Sequence, residues 1–447
     1  MAWLDFETRE EETSTREQIF PVIVASALGS AIEWSDFFYY GFLAVTVFPA
    51  VFFPPLNPAI GIVASITANF IGFVARPLGG VFFGRFGDRI GRKSTLAATL
   101  LLIGATTMLM GVLPSYAQLG IAAPLLLVTL RFLQGVGVGG EWGGAVLLTM
   151  EFSDRRRRGF WTSWPQIGVP VGLALSSASI LLFKSLYPGE AFQVIGWRIP
   201  FLLSTLLVAL GLYIRLRIPE TPAFLRLVAS HRSVVHSTLT TLWHYWREIL
   251  LTALIRTGEQ APYYIFTTFA LSYGTLILHL DSSLVYTSMI AASGVSFCMM
   301  PCFGALSDRV GRRRTTIYGA LAMMACAFPF FLLLNTGRPL LVILALALVL
   351  GGPHACLYGP QSSLIAERFP PSLRYTGASL GYQLASIVAG GPAPIIATYL
   401  LTRLPAQQAV PPAWVLIALY IIAAALVTLL AALPLKEYAG RATREED

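Results

Sequence analysis

Gly84-Arg85-Phe86-Gly87-Asp88-Arg89-Ile90-Gly91-Arg92-Lys93 lies between two long apolar runs. It returns 220 residues later as Gly304-Ala305-Leu306-Ser307-Asp308-Arg309-Val310-Gly311-Arg312-Arg313-Arg314, again between apolar runs, with Gly, Asp, Arg, Gly and Arg in register. The same charged hinge in each half of a 447-residue chain predicts two related bundles. Internal symmetry of this kind, in an apolar protein, is a sequence mark of secondary transporters.

Composition puts the chain in a bilayer. Hydrophobic residues are 55% and charged residues 12%, against about 25% charged in soluble domains, and the mean hydropathy is +0.68. The net charge of +8 raises nucleic acid as a partner. That reading fails because the basic residues sit in loops between apolar runs, where lipid orientation explains them. Cys298, Cys302, Cys326 and Cys356 fall inside apolar runs, without a disulfide spacing, and read as small packing residues. The acidic, polar start of the chain does not read as a cleavable signal peptide.

A span needs about 20 mainly apolar residues. The sequence predicts twelve: 20–48, 58–83, 95–113, 121–150, 160–183 and 197–216, then 248–278, 284–305, 315–335, 339–366, 375–402 and 412–434. The fold class is therefore all-α, with twelve transmembrane helices in two pseudo-symmetric six-helix bundles, 20–216 and 248–434. Around them lie a tail 1–19, a central linker 217–247 and a tail 435–447. Loops after even-numbered spans hold Arg85, Arg89, Arg92, Lys93, Arg155 to Arg158, Arg309, Arg312 to Arg314, Arg368 and Arg374. Loops after odd-numbered spans hold little beyond Lys184, Arg338 and Arg403. The positive-inside rule then expects both termini, and the linker with His231 and His236, in the cytoplasm. Glu151 and Arg158 match Glu367 and Arg374 at a shared offset of 216, which extends the repeat.

These features carry a resemblance. The doubled G-x-x-x-D-R-x-G-R-[KR] loop and Pro219-Glu220-Thr221-Pro222 look like the major facilitator superfamily. More specific are Glu33-Trp34-Ser35-Asp36-Phe37-Phe38, Arg76-Pro77-Leu78-Gly79-Gly80, Arg131-Phe132-Leu133-Gln134-Gly135, Gly139-Gly140-Glu141-Trp142-Gly143-Gly144 and the run from Arg374 to Gln383. Together they resemble the metabolite:proton symporters, which include permeases for 2-oxoglutarate, citrate, shikimate and proline or betaine. Ser35 departs from that pattern, where an aromatic is usual. The resemblance implies proton-coupled uptake of a small organic acid, with the proton as coupling ion and no other cofactor. It also implies a monomer in the inner membrane, and a latch at the repeated loops that joins the halves. The latch set is Asp88, Arg89, Arg92, Glu151, Asp308, Arg309, Arg312 and Glu367, with Glu141 as a gating or structural residue.

The residues themselves say where the chemistry lies. Glu33 and Asp36 are three apart in mid-span and are expected to share a helix face. Two mid-bilayer carboxyls cost about 2.5–3.5 kcal/mol each unless they line a wet cavity. Desolvation favours the neutral form of a carboxyl, so either could carry a proton; a structural pair is the alternative. Arg131, about mid-depth in its span, needs a counter-charge. That is expected to be Glu33 or Asp36 when empty and a cargo carboxylate when loaded. Arg256 and Glu259, followed by Tyr263 and Tyr264, read as a second polar rung or a closed ion pair. His354, in Gly351-Gly352-Pro353-His354, sits where the backbone is expected to kink. Tyr358, Gln361, Gln166 and Gln383 add neutral polar groups, Trp161 and Trp164 read as interfacial anchors, and Arg76 is expected to snorkel. The aromatic residues, 12% of the chain, read mostly as lipid-facing cover. Symport of a zwitterionic osmolyte such as proline or betaine is the alternative function, and a passive facilitator a third. With no H-x-x-x-H, paired Cys ligands or G-x-S-x-G, an enzyme is not expected.

Overall fold

Long apolar helices dominate the computed structural model of the chain. It describes the backbone of residues 2–217, 220, 244–370, 374–403 and 412–437, and the side chains of these apart from residues 2–18, 58, 59, 88, 402 and 403. The latch residue Asp88 and the linker residues His231 and His236 therefore have side chains outside the described residues.

The spans are α1 (Ile19–Thr46), α2 (Ile60–Gly87), α3 (Arg92–Val112), α4 (Ala122–Glu151), α5 (Arg155–Leu186), α6 (Phe192–Arg217), α7 (246–276), α8 (Ser282–Val310), α9 (Arg312–Leu334), α10 (Pro339–Ala366), α11 (Arg374–Leu401) and α12 (Ala413–Ala432). Eleven are long and apolar enough to cross a membrane by composition. The twelfth, α7, is as long but carries Arg247, Glu248, Arg256 and Glu259, so its helical form depends on partners rather than on lipid. The helix of α1 extends back to Ala2, through the stretch 1–19 that the sequence reading set apart as a tail.

The repeat is visible in the backbone. Gly91 (φ 116°) and Gly311 (φ 107°) each end one span and start the next, in a region that L side chains rarely adopt. Beyond each glycine, a carboxylate from a distant segment caps the new helix. Glu220 accepts from the backbone N–H of Arg92 (3.1 Å) and Lys93 (3.3 Å), and Glu437 accepts from those of Arg312 and Arg313 (both 3.0 Å). Negative charge at the start of a helix satisfies free donors and opposes the helix dipole.

Within the first half, α2 lies along α4. Glycines allow it: at Gly135 and Gly139 the backbone carbonyls of Gly72 and Arg76 occupy the space a Cβ would need. Ser35, where an aromatic is usual, also faces a close neighbour, since its carbonyl accepts from Ser176 of α5 at 2.7 Å. Three helices of the second half contain a widened π turn: Ile265–Phe269, Leu350–His354 and Ser386–Gly390. Each lies within a few residues of a proline, Pro262, Pro353 or Pro392, whose missing N–H and ring clash disturb the i to i−4 ladder.

The halves meet along α5 with α8 and α10, and along α11 with α2 and α4, and α1 approaches α7. At the end carrying the repeated loops, Tyr375 donates to the Gly140 carbonyl at 2.6 Å and Ser362 to that of Thr162 at 2.8 Å. At the other end, Lys184 donates to Ser282 at 2.9 Å and the Phe42 and Tyr286 rings meet at 5.3 Å. The halves therefore touch at both ends.

Two expectations are corrected. The aromatic run Trp34, Phe37, Phe38, Tyr39, Tyr40 and Phe42 is core, not lipid cover. Of the cysteines only Cys356 is buried; Cys298 and Cys302 are exposed on α8 and Cys326 is intermediate. Gly139→Ala should force α2 and α4 apart and cost about 1–3 kcal/mol, read as a lower Tm in detergent. Gly294→Ala, with open space around it, should leave Tm unchanged or raise it.

Candidate functional site

The first half places its mid-span charges around the aromatic wall of α1. Glu33, Asp36, Arg76 and Arg131 are all at most 5% exposed. Arg131 of α4 lays its guanidinium over the Tyr40 ring, 3.5 Å from the centroid, and donates to Gln134 of its own helix. Gln134 passes the chain on to Thr107 at 2.7 Å. Nε and Nη2 of Arg131 have no hydrogen-bond partner. No ion pair joins it to Glu33 or Asp36, contrary to expectation, because the two carboxyls diverge. Asp36 turns into the first bundle, toward Thr107 and Ser204, with Arg131 as its cation at longer range and Oδ2 unpartnered. Glu33 turns to the seam between the halves, where it feels Glu141, Arg76, Arg215 and Arg256. Residues three apart are separated by about a sixth of a turn, and here an edge between two neighbour sets passes between them.

Arg76 does not snorkel. It lies 4.4 Å from the Phe73 centroid, 4.7 Å from that of Phe37 and 5.8 Å from that of Trp34, and is 2% exposed. Phe37 thus has a guanidinium on Arg76 and another, 5.7 Å away, on Arg131. Glu141, by contrast, is closed off: it forms an ion pair with Arg215 of α6 and accepts from Thr99 at 3.0 Å. Arg215 in turn donates to the Leu96 carbonyl at 2.6 Å. Glu141 therefore braces α3, α4 and α6 within one half.

The second half builds a linked cluster. Arg256 Nε stands 3.4 Å from Glu259 Oε2, and Glu259 Oε1 is 3.2 Å from Nε2 of His354. Arg256 also donates to Gln361 (3.3 Å) and to the Tyr382 carbonyl (2.7 Å). The His354 ring packs against Tyr263 (4.3 Å between centroids) and Tyr358 (5.4 Å). Tyr358 shares a 2.9 Å hydrogen bond with the Tyr382 hydroxyl. Tyr382 is itself sandwiched, with Trp142 of the first half stacked 3.7 Å away on one side and the Arg256 guanidinium 3.0 Å from its centroid. Gln166 completes the crossing: it accepts from Trp142 at 2.9 Å and donates to the Tyr358 carbonyl at 3.1 Å. Gln383 donates across the seam to the Val138 and Gly139 carbonyls, each at 3.5 Å.

At the end carrying the repeated loops, Asp308 reaches across the halves. Its two oxygens accept from the backbone N–H of Gly159 (2.8 Å) and Phe160 (2.9 Å), at the start of α5. Arg312 holds Asp308 (2.8 Å) and grips Glu367 with two 3.0 Å bonds. The first-half copy of the latter pair is Arg92 with Glu151 at 3.5 Å. Arg89 and Arg309 are exposed and make no ion pair or hydrogen bond among the described residues. One residue past the aspartate on a helix, a side chain points about 100° away from it.

Sequence reasoning brought together Arg256 with Glu259, put Arg92 and Glu151 in one latch set without pairing them, and missed Arg215, Trp142 and Tyr382. Trp142 and Tyr382 lie in stretches already singled out; Arg215 had only its position in an apolar run as a signal. The caps Glu220 and Glu437 were also missed.

The arrangement is a buried polar seam between two bundles, and the described residues hold no metal-binding group of acids, histidines and cysteines. Comparison with known proteins agrees with a carrier. A profile of the Major Facilitator Superfamily matches residues 37–394. The chain is 40% identical over 408 residues to the inner membrane metabolite transport protein YhjE of Escherichia coli, covering 90% of this chain and 91% of that one. It is 38% identical to the shikimate transporter of Escherichia coli, with 96% and 97% covered, and 34% identical to the proline/betaine transporter of Salmonella typhimurium, with 94% and 84% covered. In fold it is similar to the proton:xylose symporter XylE, with a TM-score of 0.76, 16% identity and 96% and 98% of the chains covered.

The stack at Tyr382 is open to a direct test by thermal melting in detergent. Tyr382→Phe removes one hydroxyl bond and should cost about 1 kcal/mol. Tyr382→Ala leaves Trp142 and Arg256 facing a void and should cost about 3–5 kcal/mol.

Proposed function

The chain belongs to the major facilitator superfamily, a family of membrane transporters rather than enzymes, and on that premise we propose that it takes up a small organic acid together with protons. The observation that carries this reading is Arg131. It is a buried guanidinium with two nitrogens unpartnered and no carboxylate within ion-pair distance. A charge in that position is costly unless it is answered, and a cargo carboxylate, bound in two-pronged fashion, answers it. Arg76, held only by aromatic faces, supplies a second cation on the other side of Phe37. Asp36 stands beside Arg131 as the proton carrier, with Glu33 at the seam as the alternative carboxyl.

The cycle follows from electrostatics. With Asp36 ionised, Arg131 has a long-range partner and little need of cargo. A proton on Asp36 removes that partner and strengthens the pull of Arg131 on an anion, so proton and cargo favour each other's binding. Entry of one proton down 100 mV releases about 2.3 kcal/mol. By the positive-inside rule the end bearing the repeated loops, with both termini, faces the cytoplasm. There Asp308 of α8, bonded to the start of α5, acts as a latch between halves 20–216 and 248–434, and it must release for cargo to leave inward. Arg256, Glu259, Tyr263, His354, Tyr358, Gln166 and Gln383 line the seam opposite Arg131.

The zwitterion reading draws on the proline/betaine relative. Against it, the aromatic cage that suits a quaternary ammonium already holds Arg76. The deciding experiment is uptake into proteoliposomes under an imposed pH gradient, acid outside, with mono-, di- and tricarboxylates, shikimate, betaine and proline. One acid should accumulate, faster as the outer pH falls, and a proton ionophore should abolish accumulation. Arg131→Lys should raise KM at least tenfold. Asp36→Asn should lose gradient-driven accumulation while keeping exchange. Asp308→Asn should slow uptake with membrane levels intact. Preference for betaine or proline would move the protein to the zwitterion class, and uptake indifferent to pH would make it a passive facilitator.

A further inference from the structure

The His354 imidazole is wholly buried, yet its Nδ1 has no hydrogen-bond partner. A histidine present only for packing has both nitrogens satisfied or an apolar setting. Here Nε2 faces Glu259 at 3.2 Å and the ring is flanked by the Tyr263 and Tyr358 faces. Glu259 Oε2 has Arg256 at 3.4 Å and no hydrogen bond. We propose that Glu259 and His354 form a second proton-binding site, carried by the second half of the protein and separate from Asp36, whose filling draws the anionic cargo to the seam.

Counting charge shows what the site does. With His354 neutral and its Nε2–H directed at Glu259, the Arg256–Glu259–His354 cluster sums to zero. A proton from the outer solution added at Nδ1 makes an imidazolium, keeps the Nε2–H bond to Glu259 and leaves the cluster at +1. Two features favour that state. The carboxylate at Nε2 stabilises the cation directly, and two tyrosine rings offer their negative faces to it. The new positive charge, close to Arg256, attracts a carboxylate entering the seam; by linkage, the carboxylate holds the proton in place. Departure of cargo toward the cytoplasm removes that support, and the proton leaves Nδ1 for the same side.

The surroundings add few other charges. On α7 they are Arg256, Glu259 and the tyrosines Tyr263 and Tyr264; on α10 Tyr358; on α11 Tyr382. From α1, Glu33 acts on the cluster through Arg256. The helices α8 and α9 also pack against the Leu350–His354 turn. Between Ser282 and Gly304, and beyond Arg314 to Leu334, they carry no Asp, Glu, Lys, Arg or His, only Tyr286, Tyr318 and the cysteines as titratable groups.

This inference extends the symport reading, but its first test does not depend on cargo. The chain has five histidines, so a full-length sample labelled with [15N]histidine in lipid nanodiscs resolves each, and His354→Gln identifies the one of interest. His354 should gain a proton at Nδ1 as the pH is lowered from 8 to 5. Glu259→Gln should move that titration to lower pH, since the stabilising carboxylate is gone, and Glu259→Asp should bring it back toward the wild-type position. A His354 that stays neutral throughout, or one indifferent to Glu259→Gln, overturns the site. In proteoliposomes, with the acid that wild type accumulates in the panel above, His354→Gln should carry fewer protons per acid. An unchanged ratio overturns the coupling role. Failure of wild type to respond to a pH gradient would sink the symport reading instead, with the histidine titration still standing.

Discussion

A charge inside a lipid-spanning bundle must be answered by another charge, by dipoles or by a ligand, and that constraint sorts the interior of this protein. Glu141 is answered by Arg215 and Thr99 within one half. Arg256 is answered by Glu259, Gln361 and a backbone carbonyl. Arg76 and Arg131 have aromatic faces and a neutral glutamine as their near partners, with Glu33 and Asp36 only at longer range. Closed pairs brace helices, because removing one partner strands the other at a cost of about 3–5 kcal/mol. Open cations keep a demand for an anion that the closed pairs have already met.

The same division runs through the ends of the helices. Glu220 and Glu437 cap α3 and α9 from the segment that follows the last span of their own half. Those bonds stay within one half. Asp308 caps α5 of the opposite half with bonds of the same kind. Carboxylate on helix N-terminus is thus used twice, once within a half and once between halves. Arg312 links the two uses, since it holds Asp308 and Glu367 with its side chain and Glu437 with its backbone.

The doubled loop made the fold legible, because a charged turn at a fixed interval between apolar runs has few other meanings. Pairs within one helix or at equivalent repeat positions were also legible, as with Arg256 and Glu259. What spacing could not supply was the identity of the neighbour across a helix face. Glu33 and Asp36 share a spacing and not a set of partners. Arg76 lies close enough to its span end to snorkel, yet the aromatic wall of α1 offers it a nearer seat. Glu220 caps a helix that begins 128 residues earlier, a relation with no local signature.

The least lipid-like span is the one around which the second half is arranged. Helix α7 fails the apolar test that the other eleven pass, and it holds Arg256 and Glu259, the charges that engage α10 and α11. A helix of that composition cannot face lipid around its whole circumference, so its polar side must stay inside the bundle and against the first half. The cost is offset at Tyr382, where one ring is pressed between Trp142 of the first half and Arg256 of α7. Separation of the halves at this level must therefore part a stacked aromatic pair and expose a guanidinium in one movement. Contact between the halves and charge compensation in the seam are consequently not independent, because both run through the one ring of Tyr382.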